Sequence, residues 1–184
     1  MSHRTWAACA LLIVALFAGL RKAGAQSPES ATGDEAGMTV GGTFTAVHLQ
    51  YGDHWILGGS GFVDAALGWH YGIEGETTWT AWHEQSGTHA NTWLIGPRYQ
   101  FDALGNYRYR PYIKLLAGYG MFHFPYNYAY GSYFVMAPGG GLDYRLNSRI
   151  RLRLVDVEYQ YWPGFTYGSM SNLAVSTGIR YRIR

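Results

Sequence analysis

Apolar and polar residues alternate along the last stretch of the chain, Ser171 to Arg184. One set of alternate positions is Leu173, Val175, Thr177, Ile179, Tyr181 and Ile183, and the other is Asn172, Ala174, Ser176, Gly178, Arg180 and Arg182. Successive side chains of a β-strand point to opposite faces, so this pattern predicts a long strand with one apolar face and one polar face. An open sheet would leave that strand as an unpaired edge, whereas closing the sheet into a barrel removes the edge.

Two-faced segments of the same kind recur along the chain before this one. With the final segment, the predicted strands are 38–49, 62–71, 73–82, 91–101, 110–124, 133–146, 149–162 and 171–184. Turns near residues 72, 102–108 and 147–148 alternate with the segments 51–61, 83–90, 125–132 and 163–170. Short turns at one end and long loops at the other are typical of outer-membrane proteins. The pattern predicts an all-β fold, an eight-stranded antiparallel up-and-down transmembrane β-barrel with short periplasmic turns and longer outer loops.

Two predicted strands depart from strict alternation. In the seventh, the apolar stripe changes phase at Leu154 and Val155, and a β-bulge there would keep Arg153 and Asp156 on the inward face. In the first, Phe44 lies on one face while Val47 and Leu49 lie on the other. The faces of the first strand are therefore poorly separated.

Charged residues fall mainly on the face predicted to point inward. The acids are Asp64, Glu74, Glu76, Asp143, Asp156 and Glu158, and the bases are Arg98, Lys114, Arg145, Arg153, Arg180 and Arg182. The interior of an eight-stranded barrel is just wide enough for side chains to fill it, and an unpaired charge there is costly. We therefore expect a polar plug of salt bridges and hydrogen bonds. The alternative is a small ion-conducting pore lined by the same charges.

Aromatic residues cluster near the predicted strand ends. They include Trp69, Tyr71, Trp82, Trp93, Tyr99, Tyr144, Tyr159, Tyr161, Trp162 and Tyr181, which fit the two girdles that barrels place at the headgroup layers. Four further tyrosines, Tyr126, Tyr128, Tyr130 and Tyr133, lie in or beside one predicted outer loop. They predict either an exposed surface that binds a sugar or a protein, or cross-strand pairs that only stabilise a long hairpin.

The first part of the chain has a different composition. Trp6 to Leu20 is an apolar run of 15 residues, followed by Ala23-Gly24-Ala25. The run is shorter than the roughly 20 residues of a membrane-spanning helix, and small residues at that spacing are typical of a cleavage site. The pattern predicts a signal peptide over residues 1–25, a flexible periplasmic leader over 26–37 and the barrel over 38–184; an uncleaved anchor is the alternative.

The predicted signal peptide changes the charge balance. It holds three of the 14 basic residues and no acidic one, so 11 basic residues remain against 12 acidic ones. A balance this close to neutral predicts no nucleic-acid partner. The single cysteine, Cys9, also lies within the signal peptide, so the mature chain forms no disulfide.

In these features residues 38–184 resemble the small OmpA-like and OmpX-like outer-membrane β-barrel family. The resemblance rests on the signal peptide, the two-faced strands, the segment Gly139 to Arg145 (GGGLDYR) and the final strand. The family's signal for the barrel-assembly machinery corresponds to Ser176, Gly178, Tyr181 and Ile183, with Arg184 where the family usually ends on an aromatic residue. The resemblance implies a monomer in the cell outer membrane that contacts membrane lipids and lipopolysaccharide and is inserted by that machinery.

The resemblance does not choose a function, because such barrels serve as anchors, adhesins, resistance factors or lipid-modifying enzymes. The sequence lacks the His-x-Ser spacing of outer-membrane lipid A deacylases. The nearest approach to it is His89-Ala90-Asn91, which has asparagine in place of serine. His83 to Ser86 has suitable residue types in one loop, and Asp53-His54 or His83 and His89 are weak metal-ligand pairs. We predict no catalytic residue, cofactor or metal, and a structural or surface-interaction role, either adhesin-like or resistance-like, with a possible extracellular ligand on the loops. The alternative is a lipid-modifying hydrolase.

Overall fold

The protein, described by a computed structural model over residues 37–50, 54–82, 89–104, 108–123, 130–165 and 168–183, folds into strands only. The strands are β1 (Met38–Leu49), β2 (His54–Ala66), β3 (Tyr71–Trp82), β4 (His89–Gln100), β5 (Tyr109–His123), β6 (Tyr130–Arg145), β7 (Ile150–Phe165) and β8 (Gly168–Arg182). Each strand pairs antiparallel with the next, and β1 pairs with β8 to close the barrel. The predicted fold class is confirmed. In these described ranges no helix is long and apolar enough to cross a membrane.

Six of the eight strands are longer than the sequence pattern predicts, while β1 and β5 have the predicted length. We call the end with connections 67–70, 101–108 and 146–149 the turn end, and the end with connections 50–53, 83–88, 124–129 and 166–167 the loop end. β2 begins at His54 and β8 at Gly168, so strand takes up much of the length predicted for the outer loops 51–61 and 163–170. The glycines of β2 explain the error, because β3 approaches Gly58 so closely that an added Cβ would lie 1.9 Å from the Trp79 carbonyl oxygen.

The predicted bulge in the seventh strand is confirmed. Arg153 pairs with Gly178 and Asp156 pairs with Ser176, which leaves two residues of β7 opposite one residue of β8. Leu154 and Val155 are both exposed on the outer wall, while Arg153 and Asp156 are both buried. The extra residue therefore restores the inward direction of the two charged side chains.

The outer wall of the barrel is apolar and its interior holds the charges. Ile95 and Ile179 are 62% and 56% exposed on the outside, whereas Arg98 and Arg180 are buried inside, 3% and 2% exposed. In a protein folded in water large apolar side chains gather inside and charged ones outside. The reversed arrangement is that of a lipid-facing wall around a polar core, as the alternation predicted.

The apolar residues inside the barrel gather at its loop end. The buried cluster consists of Val47, Leu49, Ile56, Ala90, Leu94, Leu116, Phe122, Val135, Ala137, Trp162, Phe165, Met170 and Ala174. Val47 and Leu49 of β1 point into this cluster, which explains why the faces of that strand looked poorly separated in the sequence. The predicted polar plug therefore occupies only part of the interior, and apolar side chains fill the loop end. Trp162, expected in an outer girdle, is fully buried in the cluster.

Candidate functional site

Lys114 is the centre of the charged interior. Its ammonium donates hydrogen bonds to Glu74 Oε1 at 3.0 Å, Glu76 Oε2 at 2.9 Å and Asp156 Oδ2 at 2.6 Å. A fourth carboxylate, that of Glu158, lies 2.5 Å from the same nitrogen. An ammonium group has three donors, so Lys114 uses its full hydrogen-bonding capacity in this cluster.

Arg153 packs beside Lys114 and shares its acids. Its two terminal nitrogens lie 2.8 Å from Glu74 Oε2 and 2.8 Å from Asp156 Oδ2. The guanidinium also stands over the ring of Phe62, 3.8 Å from the ring centre. Arginine suits this position because it combines planar donors to carboxylates with stacking on an aromatic face.

A second group of charges lies nearer the turn end. Arg98 and Arg180 each donate to both Asp64 and Asp143, with Arg98 Nη2 at 2.7 Å from Asp143 Oδ2. Arg98 also donates to Glu74 Oε2 at 3.3 Å, which joins this group to the Lys114 cluster. Buried charges are tolerated when each is paired and hydrogen-bonded, and the shared carboxylates meet that condition.

The structure brings together ten of the twelve charged residues predicted to face inward. They are Asp64, Glu74, Glu76, Arg98, Lys114, Asp143, Arg153, Asp156, Glu158 and Arg180, all buried. The other two, Arg145 and Arg182, are half-buried and lie at the turn end of β6 and β8. The buried network therefore holds six acids and four bases, in place of the predicted balance of six and six.

A layer of hydroxyl groups follows the charges toward the loop end. The Thr45 hydroxyl lies 2.7 Å from that of Ser60 and 2.9 Å from that of Ser176, and Ser60 lies 3.0 Å from Thr78. These residues come from β1, β2, β3 and β8, so the hydrogen bonds run across the closing seam of the barrel. On this side of the barrel the layer lies between the ion pairs and the apolar cluster, as Ser176 lies between Arg180 and Ala174 on β8.

Aromatic rings fill the interior at the loop end. Trp162 meets Phe122 edge to face with ring centres 6.4 Å apart, and Phe165 lies 4.8 Å from Tyr133. Tyr133 thus packs against the interior cluster, which corrects its assignment to an exposed tyrosine surface. Its position in β6, two residues before buried Val135, directs the ring inward. Tyr130 begins β6, and Tyr126 and Tyr128 lie outside the described residues.

The residues of the predicted assembly signal divide between the two faces of β8. Ser176 is buried in the hydroxyl layer, while Tyr181 and Ile183 are exposed on the outer wall. At Gly178 an added Cβ would lie 2.1 Å from the Gly42 carbonyl oxygen across the seam, so only glycine allows this close pairing. The recognition role of these positions stays a prediction.

One group of acids has the spacing of a metal site. Oxygens of Glu74, Glu76 and Asp156 lie within 4.8 Å of one another. All three carboxylates already accept hydrogen bonds from Lys114, whose ammonium supplies the positive charge that a cation would bring. This group is therefore part of the ion-pair network.

The catalytic candidates from the sequence fall outside the described part of the chain. Residues 83–86 and Asp53 lie outside it, as do the predicted signal peptide and all of the leader except Gly37. A histidine–carboxylate pair joins His70 Nε2 to Asp102 Oδ1 at 3.1 Å, but it lies at the turn end and Asp102 is almost fully exposed.

Comparison with known proteins finds similarity in structure. No protein-family model matches the chain, and no curated protein matches it. Neisserial surface protein A superposes with a TM-score of 0.60 at 11% identity, covering 79% of this chain and 96% of its own. The outer membrane protein OprG of Pseudomonas aeruginosa superposes with a TM-score of 0.57 at 13% sequence identity, and the match covers 84% of this chain and 100% of OprG.

The attachment invasion locus protein Ail of Yersinia pestis gives a TM-score of 0.50 at 18% identity, covering 81% of this chain and 98% of its own. At sequence identities this low, the structural similarity establishes the fold and does not show the activity. The closed eight-stranded sheet, the apolar outer wall and the charged interior agree with that fold. The chain thus has the fold of the small eight-stranded outer-membrane β-barrels.

Proposed function

We propose that this chain is a non-catalytic integral barrel of the outer membrane with a structural or surface-interaction role. The observation that carries the proposal is the filled interior. Ion pairs, hydroxyl groups and aromatic rings occupy successive layers along the barrel axis, and the largest buried side chains include Trp162, Arg153 and Arg180. An interior occupied in this way leaves the two ends of the barrel as the surfaces available to partners.

The assignment to a membrane rests on the apolar outer surface of the barrel. Apolar side chains exposed all round the barrel require acyl chains as their surroundings, and the structural neighbours include an outer membrane protein. In that orientation the turn end faces the periplasm and the loop end faces the outside. Membrane lipids, lipopolysaccharide and the barrel-assembly machinery are the partners this implies, and we propose that the barrel is a monomer.

The proposal predicts that the reconstituted protein does not conduct ions. Because Lys114 and its four carboxylates fill the axis below a layer of packed aromatic rings, planar-bilayer recordings should show no steady conductance at the level of an open porin. A general porin recorded in the same bilayers gives the reference, and heat-modifiable gel migration verifies that the protein is folded. Sustained porin-level conductance would exclude the plugged barrel and favour the small pore.

The surface role is proposed for the loop end. Ail, a structural neighbour, was solved in complex with the heparin analogue sucrose octasulfate, and a ligand at the outer loops of this chain is proposed by analogy. The tyrosines at 126, 128 and 130 are the candidate contacts, whereas Tyr133 belongs to the interior.

Replacing Tyr126, Tyr128 and Tyr130 with serine should abolish most binding of the folded barrel to host cells or to a sulfated-glycan array, because it removes the aromatic faces that we propose as ligand contacts. The matched control replaces the same residues with phenylalanine, which keeps the rings and removes the hydroxyls. If the serine variant is folded and binds as well as the parent protein, these tyrosines only stabilise their hairpin.

A further inference from the structure

The charged interior of the barrel contains more acids than bases. Its ion-pair network joins six buried acids to four buried bases. None of the six acids contacts any other base in the part of the chain that the structure describes. A buried charge that is not neutralised is costly, because the interior does not solvate it as water does. Two acids therefore lack a cation of their own.

Glu76 and Glu158 are the acids that receive the fewest cations. The other four acids each accept hydrogen bonds from two or more bases. Glu76 accepts one from Lys114, and the nearest nitrogen of Arg153 is 3.8 Å from its Oε2. Glu158 has Lys114 as its single cation, and its Oε2 accepts only a long hydrogen bond of 3.4 Å from Gln160 Nε2. The uncompensated charge of the network therefore lies on these two side chains.

The hydrogen-bond donors of the cluster are also too few. The three N–H donors of Lys114 are directed to Glu74, Glu76 and Asp156, so none is left for Glu158 Oε1, 2.5 Å from the same nitrogen. Asp156 Oδ1 is buried and accepts no hydrogen bond from the described residues. A buried acceptor without a donor carries the full cost of leaving water. The cluster thus lacks a donor as well as positive charge, and a proton supplies both.

We propose that Glu76 and Glu158 hold at least one proton between them in the folded barrel at neutral pH. Two carboxylates held at one ammonium and buried from water repel each other, and a proton on either one removes that repulsion. The proton also gives the cluster a new O–H donor. The charged and titratable groups packed with the pair are Glu74 of β3, Arg98 of β4, Tyr112 and Lys114 of β5, and Arg153 and Asp156 of β7, with Asp64, Asp143 and Arg180 in the neighbouring group toward the turn end.

The bound proton makes the folding equilibrium depend on pH. A glutamate of the unfolded chain releases its proton near about pH 4.3, so above that pH the folded barrel carries a proton that the unfolded chain has lost. For one such proton, the folding equilibrium constant falls about tenfold with each unit rise in pH until the pair itself ionises. Urea unfolding of the protein in phosphatidylcholine vesicles, repeated from about pH 5.5 to about 7.5, measures this slope.

The double variant Glu76→Gln with Glu158→Gln isolates the contribution of the pair. It leaves four acids and four bases in the network, so its folding constant should fall about tenfold less per pH unit than that of the parent protein. Histidines that titrate in the same range are common to both proteins and cancel in the comparison. The matched control is Asp102→Asn, an exposed acid at the turn end, which should keep the parent's slope.

Infrared spectroscopy of the folded parent protein gives a second readout that does not need a variant to fold. A protonated carboxyl group has a carbonyl band separate from the bands of carboxylates, and this band should be present at neutral pH and shift in heavy water. Absence of the band, or equal pH slopes for the parent and the double variant, would overturn the proposal. So would a stability that follows sodium chloride against choline chloride and not pH, because a metal ion would then supply the missing charge.

Discussion

Replacing Lys114 with methionine should destabilise the barrel by about 3–5 kcal/mol, the cost of removing one partner from a buried ion pair. The ammonium holds Glu74, Glu76, Asp156 and Glu158 together at 2.5 to 3.0 Å, and without it four carboxylates would face one another in a space closed to bulk water. The measurement compares the free energy of unfolding of the variant with that of the parent protein, obtained in lipid vesicles by urea titration followed by tryptophan fluorescence.

Two further variants identify the cause. Arg108→Met removes an exposed cation at the turn end and should change the unfolding free energy by roughly 0.5 kcal/mol or less. Adding Glu76→Gln and Glu158→Gln to the Lys114 variant should recover part of the loss, because it removes two of the repelling charges. If the Lys114 variant is as stable as the parent protein, the ammonium is not what neutralises these acids.

Replacing Trp162 with alanine is the second large expected effect, about 3–5 kcal/mol as for other buried tryptophans. The indole is fully buried inside the loop end and lies directly over Gly120, where an added Cβ would come within 2.3 Å of the ring. Because neighbouring backbone is held in the sheet, the wall has little freedom to collapse into the space that the indole leaves.

The matched control is Trp93→Ala on the outer wall, where lipid fills the space and the loss of stability should be smaller. The same urea titration measures both variants. The Trp162 variant should also remain non-conducting, because the charged layer below it still fills the barrel. If both substitutions lower the stability equally, the buried position of Trp162 contributes no extra packing energy. If the Trp162 variant conducts ions, the aromatic layer and not the charged layer is what blocks ion passage.

Alternation predicted the direction of side chains well because it depends only on the two-residue period of a strand. It identified the lipid-facing wall, and it located the bulge at Leu154 and Val155 because a single extra residue is the simplest way to keep Arg153 and Asp156 on one face. Strand ends were less predictable. Glycines such as Gly58 suggest a loop in sequence, whereas here a close neighbouring strand requires them.

The apolar half of the interior was missed although the sequence contained it. Val47, Leu49 and Trp162 all stand at inward positions, but the first strand seemed poorly separated into faces and Trp162 was assigned to an outer girdle. The sequence also did not predict which acid pairs with which base in the charged network, for a different reason. Arg98 reaches Asp143 from β4 to β6, and such contacts between non-adjacent strands depend on the stagger of the whole sheet.

Arg180 is carried by β8, the strand that completes the ring, and it reaches Asp64 on β2 and Asp143 on β6. Among the described residues Arg98 is the other base that contacts both acids, so before β8 docks on β1 the two carboxylates share a single described cation. Docking of β8 therefore closes the sheet and at the same time brings Arg180 to Asp64 and Asp143, so barrel closure and neutralisation of these two acids are coupled.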